Sequence, residues 1–236
     1  MTSDFRYDNR TGRGPGRVLR TLGVLVPGVS RVQAQVEPYA DAWHARNRSV
    51  LAHPGRRWFV LGDSMSQGIG ASAHDSGWVD QLVARLGTEA GALRIVNLSA
   101  TGARVADVVE QQLPALSSLE PRPDDLVTVM AGSNDLFAGR VSRAALPAGF
   151  AVLVDRLPRG AIVATLPQPR VAATRANAYV ESAAAEGRLR MVDMRVSGPP
   201  SWRGRLASDW FHPNDAGYAA IADAFEPVLR SALTGS

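Results

Sequence analysis

The chain has 236 residues, enough for one large domain, or one domain with an extension, to bury a substantial core. Hydrophobic residues make up 45% and charged residues 20%, with 22 Gly and 15 Pro, which excludes a disordered or low-complexity chain. There is no cysteine, so disulfides and thiolate metal sites are excluded; all 26 basic residues are arginine, and at a net charge of +4 they are scattered without the aromatic interleaving of a nucleic-acid groove.

Residues 1 to 20 set Arg6, Arg10, Arg13, Arg17 and Arg20 among Gly, Asn, Asp and Pro, with no apolar stripe, and are predicted to be mobile. The short apolar run from Thr21 to Val29 has the outline of a signal peptide, but Pro27 and Gly28 break it and Asp4 and Asp8 interrupt its basic lead. Only Val32-Gln33-Ala34 resembles a cleavage site, so we read the chain as unprocessed and cytoplasmic, with secretion as the alternative. No span approaches the roughly 18 to 20 apolar residues of a transmembrane helix, and no integral membrane association is expected. From Val29 to about His44, apolar residues recur at three and four, the period of an amphipathic helix that Pro38 kinks or divides. We expect it to pack as an appendage, making residues 1–50 an N-terminal extension and 51–236 the main domain. His44 and His53 have no neighbouring ligand spacing and are read as structural.

Trp58-Phe59-Val60-Leu61 is an apolar run that stops at Gly62-Asp63-Ser64 and a glycine-punctuated turn, which predicts a buried strand presenting a hydroxyl at its end. Apolar residues from Trp78 to Leu86 then suit a helix face, followed by a strand at Leu93–Leu98 and a helix at about Val105–Leu113. Next come a strand at Leu126–Met130, a helix at about Ser142–Leu157 and a strand at Ala161–Leu166. A helix at Ala172–Glu186, a strand at Leu189–Met194 and a last helix at Ala216–Leu229 complete the chain. Five short strands alternating with helices imply βαβ units, and hence an α/β fold with a parallel sheet covered on both faces.

In such a sheet the residues following each strand share one edge of the molecule. Those positions hold Ser64, then Asn97 to Ala103, then Gly132-Ser133-Asn134-Asp135, then Pro167 to Arg170, with Asp209-Trp210-Phe211-His212-Pro213 before the last helix. A hydroxyl, an imidazole, a carboxylate and amide donors make a working set for acyl transfer. Each member has an ordinary alternative: Gly102 as a turn glycine, Asn134 as a helix cap, His212 as a packed core histidine. His74 beside Asp75 is a rival base, ranked below His212 because adjacent residues do not readily face each other, whereas Asp209 stands three residues before His212. We expect Pro213 to start the last helix.

Gly62-Asp63-Ser64 with Met65-Ser66, Gly102, Gly132-Ser133-Asn134-Asp135 and Asp209-x-x-His212-Pro213 resemble the four blocks of the SGNH, or GDSL-type, esterases and lipases, in the right order over about residues 57 to 232. The resemblance implies a three-layer α/β/α sandwich with a five-stranded parallel sheet of flavodoxin-like type. It implies Ser64 as nucleophile, His212 as base, Asp209 as its orienting carboxylate, and an oxyanion hole formed by Ser64, Gly102 and Asn134. It requires no metal and no organic cofactor. Met65 replaces the family's usual Leu, a volume-conserving swap. The expected partner is a small-molecule ester, with short acyl or acetyl groups favoured because no long apolar lid is visible. Gln67, Ile69, Phe137, Arg170, Trp202 and Trp210 are candidate pocket walls. Lysophospholipase, thioesterase or acyltransferase activity on the same site stays open, as does a catalytically silent anion-binding module.

Overall fold

The computed structural model describes residues 5–12, 26–90 and 93–235, and the strand at its centre is β1 (Arg57–Gly62). It is flanked by β2 (Arg94–Asn97) and β3 (Leu126–Met130), with β4 (Ile162–Ala164) and β5 (Arg190–Val192) beyond β3, giving the order β2-β1-β3-β4-β5. All four pairings are parallel, with Val60 opposite both Asn97 and Thr128 and Gly62 opposite Met130. Alternate residues of β1 feed two cores. Phe59 and Leu61 join one cluster with Val96, Val127, Val129 and Val163, while Trp58 and Val60 join the other with Ile95, Leu126 and Ile162. Burial on both faces is why these strands read as near-continuous apolar runs rather than alternating ones.

The first face is covered by α5 (Val105–Asp107), a π turn (Val108–Gln112) and α6 (Leu113–Ser118), by α8 (Arg140–Arg156) and by α9 (Val171–Ala185). The second is covered by α2 (Val36–Leu51), α4 (Trp78–Leu86) and α10 (Asp215–Thr234). There the Trp78 ring stacks on Phe225 at 4.3 Å and meets Trp58 edge-on at 5.9 Å, a large apolar contribution from three side chains. Three shorter helices are α1 (Pro27–Gln33), α3 (Ser64–Gln67), which follows β1, and α7 (Ser133–Phe137), which follows β3. This is the predicted fold class, an α/β sandwich with a five-stranded parallel sheet.

Three expectations about the chain's organisation are corrected. The helix of the extension divides at Ala34–Gln35 rather than at Pro38, which lies in the first turn of α2, where its missing N–H has no helical partner to lose. The segment 5–12 is docked on the domain: Asn9 is 1% exposed and its amide donates to the carbonyls of Asn97 (2.7 Å) and Ser99 (2.9 Å). Nor is the extension an appendage. Asn47 of α2 is wholly buried, donates to the Asn97 carbonyl at 2.6 Å and accepts from the Asn97 N–H at 2.9 Å, so α2 and residue 9 satisfy the outward backbone groups of Asn97 at the end of β2. Residues 1–4 and 13–25, including most of the apolar run that begins at Thr21, lie outside the described residues. Among the described residues no helix is long and apolar enough to cross a membrane.

Candidate active site

The strand order reverses direction on either side of β1, and Ser64 follows β1 at that switch point, where open α/β sheets leave a crevice. Gly62 allows the strand to end there. Its φ is +144°, and a Cβ would stand 2.2 Å from the Met130 carbonyl oxygen, so no larger residue fits between the ends of β1 and β3. The Gly62 peptide is held reciprocally by Gln112 of the π turn, which accepts from its N–H and donates to its carbonyl, each at 2.8 Å. Asp63 caps α3 by accepting from the Met65 N–H at 3.0 Å, which places Ser64 in the first turn. Burial pushes the Asp63 carboxyl up to about 6, against the opposing pull of that N–H and of His212.

The Ser64 Oγ lies 3.0 Å from Nε2 of His212, and Nδ1 of His212 lies 2.6 Å from Oδ2 of Asp209. The second carboxylate oxygen of Asp209 accepts from the backbone N–H groups of Phe211 (3.1 Å) and His212 (3.0 Å), closing a tight loop in which Trp210 has φ +55°. Burial alone would raise the Asp209 carboxyl, but the His212 imidazole and the two N–H groups outweigh it and hold the group below its ordinary value. With Nδ1–H donated to this carboxylate, Nε2 is left as the acceptor for the Ser64 hydroxyl.

The loop is fixed from outside. Leu206 bridges Pro213, the Ala207 N–H donates to the His212 carbonyl at 2.8 Å, and the Asn214 amide donates to the carbonyls of Gly204 and Leu206, each at 3.1 Å. Asn214, not Pro213, caps the last helix, accepting from the Gly217 N–H at 3.0 Å. Gly70 lies against the loop so closely that a Cβ would meet the Pro213 oxygen at 2.5 Å and the His212 Cβ at 2.8 Å.

Gly102, with φ +77°, stands on the loop after β2, and Asn134 in the first turn of α7 after β3. The Asn134 amide donates one hydrogen to the Ala103 carbonyl at 2.9 Å, tying that helix to the loop; a carboxamide carries a second donor. Asn134 lies inside α7, whose cap is Gly132 with φ +107°. Of the candidate pocket walls, Phe137 is 51% and Trp210 73% exposed. The Phe137 ring meets Phe211 edge-on at 5.6 Å, Phe211 meets His212 at 5.0 Å, and the Arg170 guanidinium lies 5.5 Å from the Phe137 centroid.

Gln67 and Ile69 are corrected: both are fully buried and line no open surface. Ile69 packs with Val32 and Tyr39. Gln67 donates to the Asn9 and Ser99 carbonyls and accepts from the Thr101 hydroxyl, so it joins α3 to the loop that carries Gly102. Trp202 packs on the core, and the rival base His74 stands edge-on to Tyr39 at 6.3 Å. Sequence reasoning placed Asn97 and Phe211 at the shared edge without a role for either, and missed Gln112 and the buried amides Asn9 and Asn47. A signal existed for Asn47, which continues the apolar face four residues after Trp43, and for Asn97, a polar residue within an apolar strand; none existed for Asn9.

A model of the GDSL-like Lipase/Acylhydrolase family matches residues 60–220. A search of curated proteins gives no match. Solved structures similar to this chain include TesA, 24% identical over 75% of this chain and 99% of that one, with a TM-score of 0.60. A family 3 carbohydrate esterase of Clostridium thermocellum is 19% identical over 76% and 98%, also at 0.60. The psychrotrophic esterase EstA of Pseudoalteromonas sp., in a structure inhibited by monoethylphosphonate, is 18% identical over 76% and 99%, at 0.56. At these identities the likeness is one of fold.

Proposed function

Because the chain belongs to the GDSL-like lipase/acylhydrolase family and is a carboxylic ester hydrolase, we propose that it cleaves short-chain esters through an acyl-enzyme formed on Ser64. The single observation that carries this is the unbroken relay from the Ser64 hydroxyl through His212 to Asp209, at 3.0 and 2.6 Å. A serine hydroxyl is a weak nucleophile at neutral pH, so His212 Nε2 takes its proton as Oγ attacks the ester carbonyl. Asp209 holds the ring in the required tautomer and stabilises the imidazolium that forms. The carbonyl oxygen gains charge in the tetrahedral intermediate, and the Ser64 N–H, the Gly102 N–H and the Asn134 amide supply donors to it. His212 then returns the proton to the departing alcohol. Water repeats the cycle on the acyl-enzyme, releasing the acid and restoring Ser64.

A short acyl group fits the small apolar surface beside His212, formed by the rings of Phe137 and Phe211 with the exposed indole of Trp210 next in sequence. The test is a panel of 4-nitrophenyl esters of increasing acyl length, run on wild type and Ser64→Ala, together with a fluorophosphonate probe and peptide mass spectrometry. Expected are turnover greatest for the shortest chains, a single adduct on Ser64, and neither in the variant. An adduct on another residue, or wild-type turnover in Ser64→Ala, overturns the assignment.

A further inference from the structure

Beyond the relay, the aromatic contacts lead to a second surface. From His212 they pass through Phe211 and Phe137 to Arg170, in successive steps of 5.0, 5.6 and 5.5 Å. Arg170 precedes α9 and lines a groove of about 510 Å³ between α8 and α9, together with Arg140, Arg143, Arg175, Ala144 and Pro147. Arg140, Arg170 and Arg175 are exposed, and Arg143 is half-buried and fixed by donating from Nε to the Leu136 carbonyl at 3.2 Å.

Four arginines line one concavity, which concentrates positive charge there and favours the entry of an anion. No such group is supplied by the described residues. None of the four forms an ion pair there, whereas Arg10, Arg57, Arg85 and Arg195 each do. Neither α8 nor α9 has an acidic residue in its first turn. The planar fork of a guanidinium is the donor set that matches a carboxylate or phosphate in two parallel bonds.

We propose that this groove is the subsite for an anionic group, carboxylate or phosphate, carried by the substrate at a distance from its scissile ester. The inference rests on Ser64 being the ester-cleaving nucleophile and deepens that assignment by naming the substrate class. A concave site walled by two helices and joined to His212 by a short aromatic path suits part of a small molecule better than it suits a flat bilayer.

The test compares kcat/KM for matched esters at low salt. Mono-4-nitrophenyl glutarate and adipate are set against the neutral pentanoate and hexanoate, and 1-butyrylglycerol 3-phosphate against 1-butyrylglycerol. The two pairings separate carboxylate from phosphate recognition. Each ester is run on wild type, on Arg140→Gln/Arg175→Gln, and on Arg156→Gln, which removes an exposed charge at the far end of α8. At least one anionic ester should be preferred by about tenfold, a preference that weakens as salt rises, since exposed charges are screened over about 10 Å at 0.1 M. That ratio should collapse about tenfold in the double variant and persist in Arg156→Gln. Equal cleavage of neutral and anionic esters overturns the subsite while leaving the nucleophile in place, and cleavage of none overturns the nucleophile. A ratio that falls equally in Arg156→Gln reduces the effect to net charge and overturns the subsite. Sedimentation with phosphatidylglycerol vesicles that depends on the groove arginines, with no preference among soluble esters, makes the groove a membrane contact and also overturns it.

Discussion

Asn134 shows how one side chain serves two purposes. One amide hydrogen holds the Ala103 carbonyl, while the other is the donor we assign to the oxyanion. Removing such a donor costs roughly 2.7 to 4 kcal/mol of transition-state stabilisation. Asn134→Ala should therefore lower kcat by about 10² to 10³ while lowering the thermal midpoint by only a few degrees, through the lost bond to Ala103, measured by ester turnover beside thermal melting. Asp63 makes a prediction of a different kind. Its folded pKa of about 6 lies above the ordinary 3.8, because burial disfavours the charged form. The stability linked to the retained proton is thus whole below pH 3.8 and is lost as the pH rises through 6. Asp63→Asn keeps an acceptor for the Met65 N–H and removes that pH dependence. Its thermal midpoint should gain on wild type between pH 4 and pH 7, by an amount corresponding to on the order of 2 kcal/mol; melting curves at the two pH values measure it. An advantage that shrinks with pH contradicts the assignment.

At the level of elements, β1 delivers Ser64 and the loop before α10 delivers His212, so the relay depends on how closely two separately encoded turns approach. Gly70 sets that distance. In Gly70→Ala the new methyl would press on the Pro213 carbonyl and the His212 Cβ, at a φ of +98° that disfavours any side chain. A shift of the imidazole by about 1 Å is enough to cost about 10²-fold in kcat. We expect that loss together with slower labelling of Ser64 by the fluorophosphonate, whereas a variant that labels at the wild-type rate would show that the loop absorbs the methyl elsewhere. The order and type of the elements were legible because apolar runs of four to six residues alternate with stretches of helical period. Their ends were less so. The last helix begins after Asn214 rather than at Pro213, because the Asn214 side chain can accept from Gly217 and the proline ring cannot.

Across the whole molecule, the N-terminal segment and α2 finish the edge of the sheet beside the active site. Asn97 receives Asn47 and Asn9 on its backbone, while its own amide donates to the Ser66 carbonyl of α3 at 2.7 Å. Asn47→Ala would leave a buried N–H without its acceptor, a penalty of about 1 to 3 kcal/mol beyond the lost bonds. At about 2 to 4 °C per kcal/mol for a chain of this size, the midpoint should fall by roughly 5 to 10 °C. Calorimetry on the variant checks this, and an unchanged midpoint would show that the edge of β2 is satisfied without α2. By itself the sequence determined the parallel sheet, its two apolar faces and which residues follow each strand, because side-chain period and turn chemistry are local properties. The tertiary structure decided which of those residues meet. It drew Gln67 and Ile69 into the interior, set Phe211 between His212 and Phe137, and left four arginines facing one groove. Such contacts join positions tens to more than a hundred residues apart, and their distances are fixed by packing between layers, which no local pattern encodes.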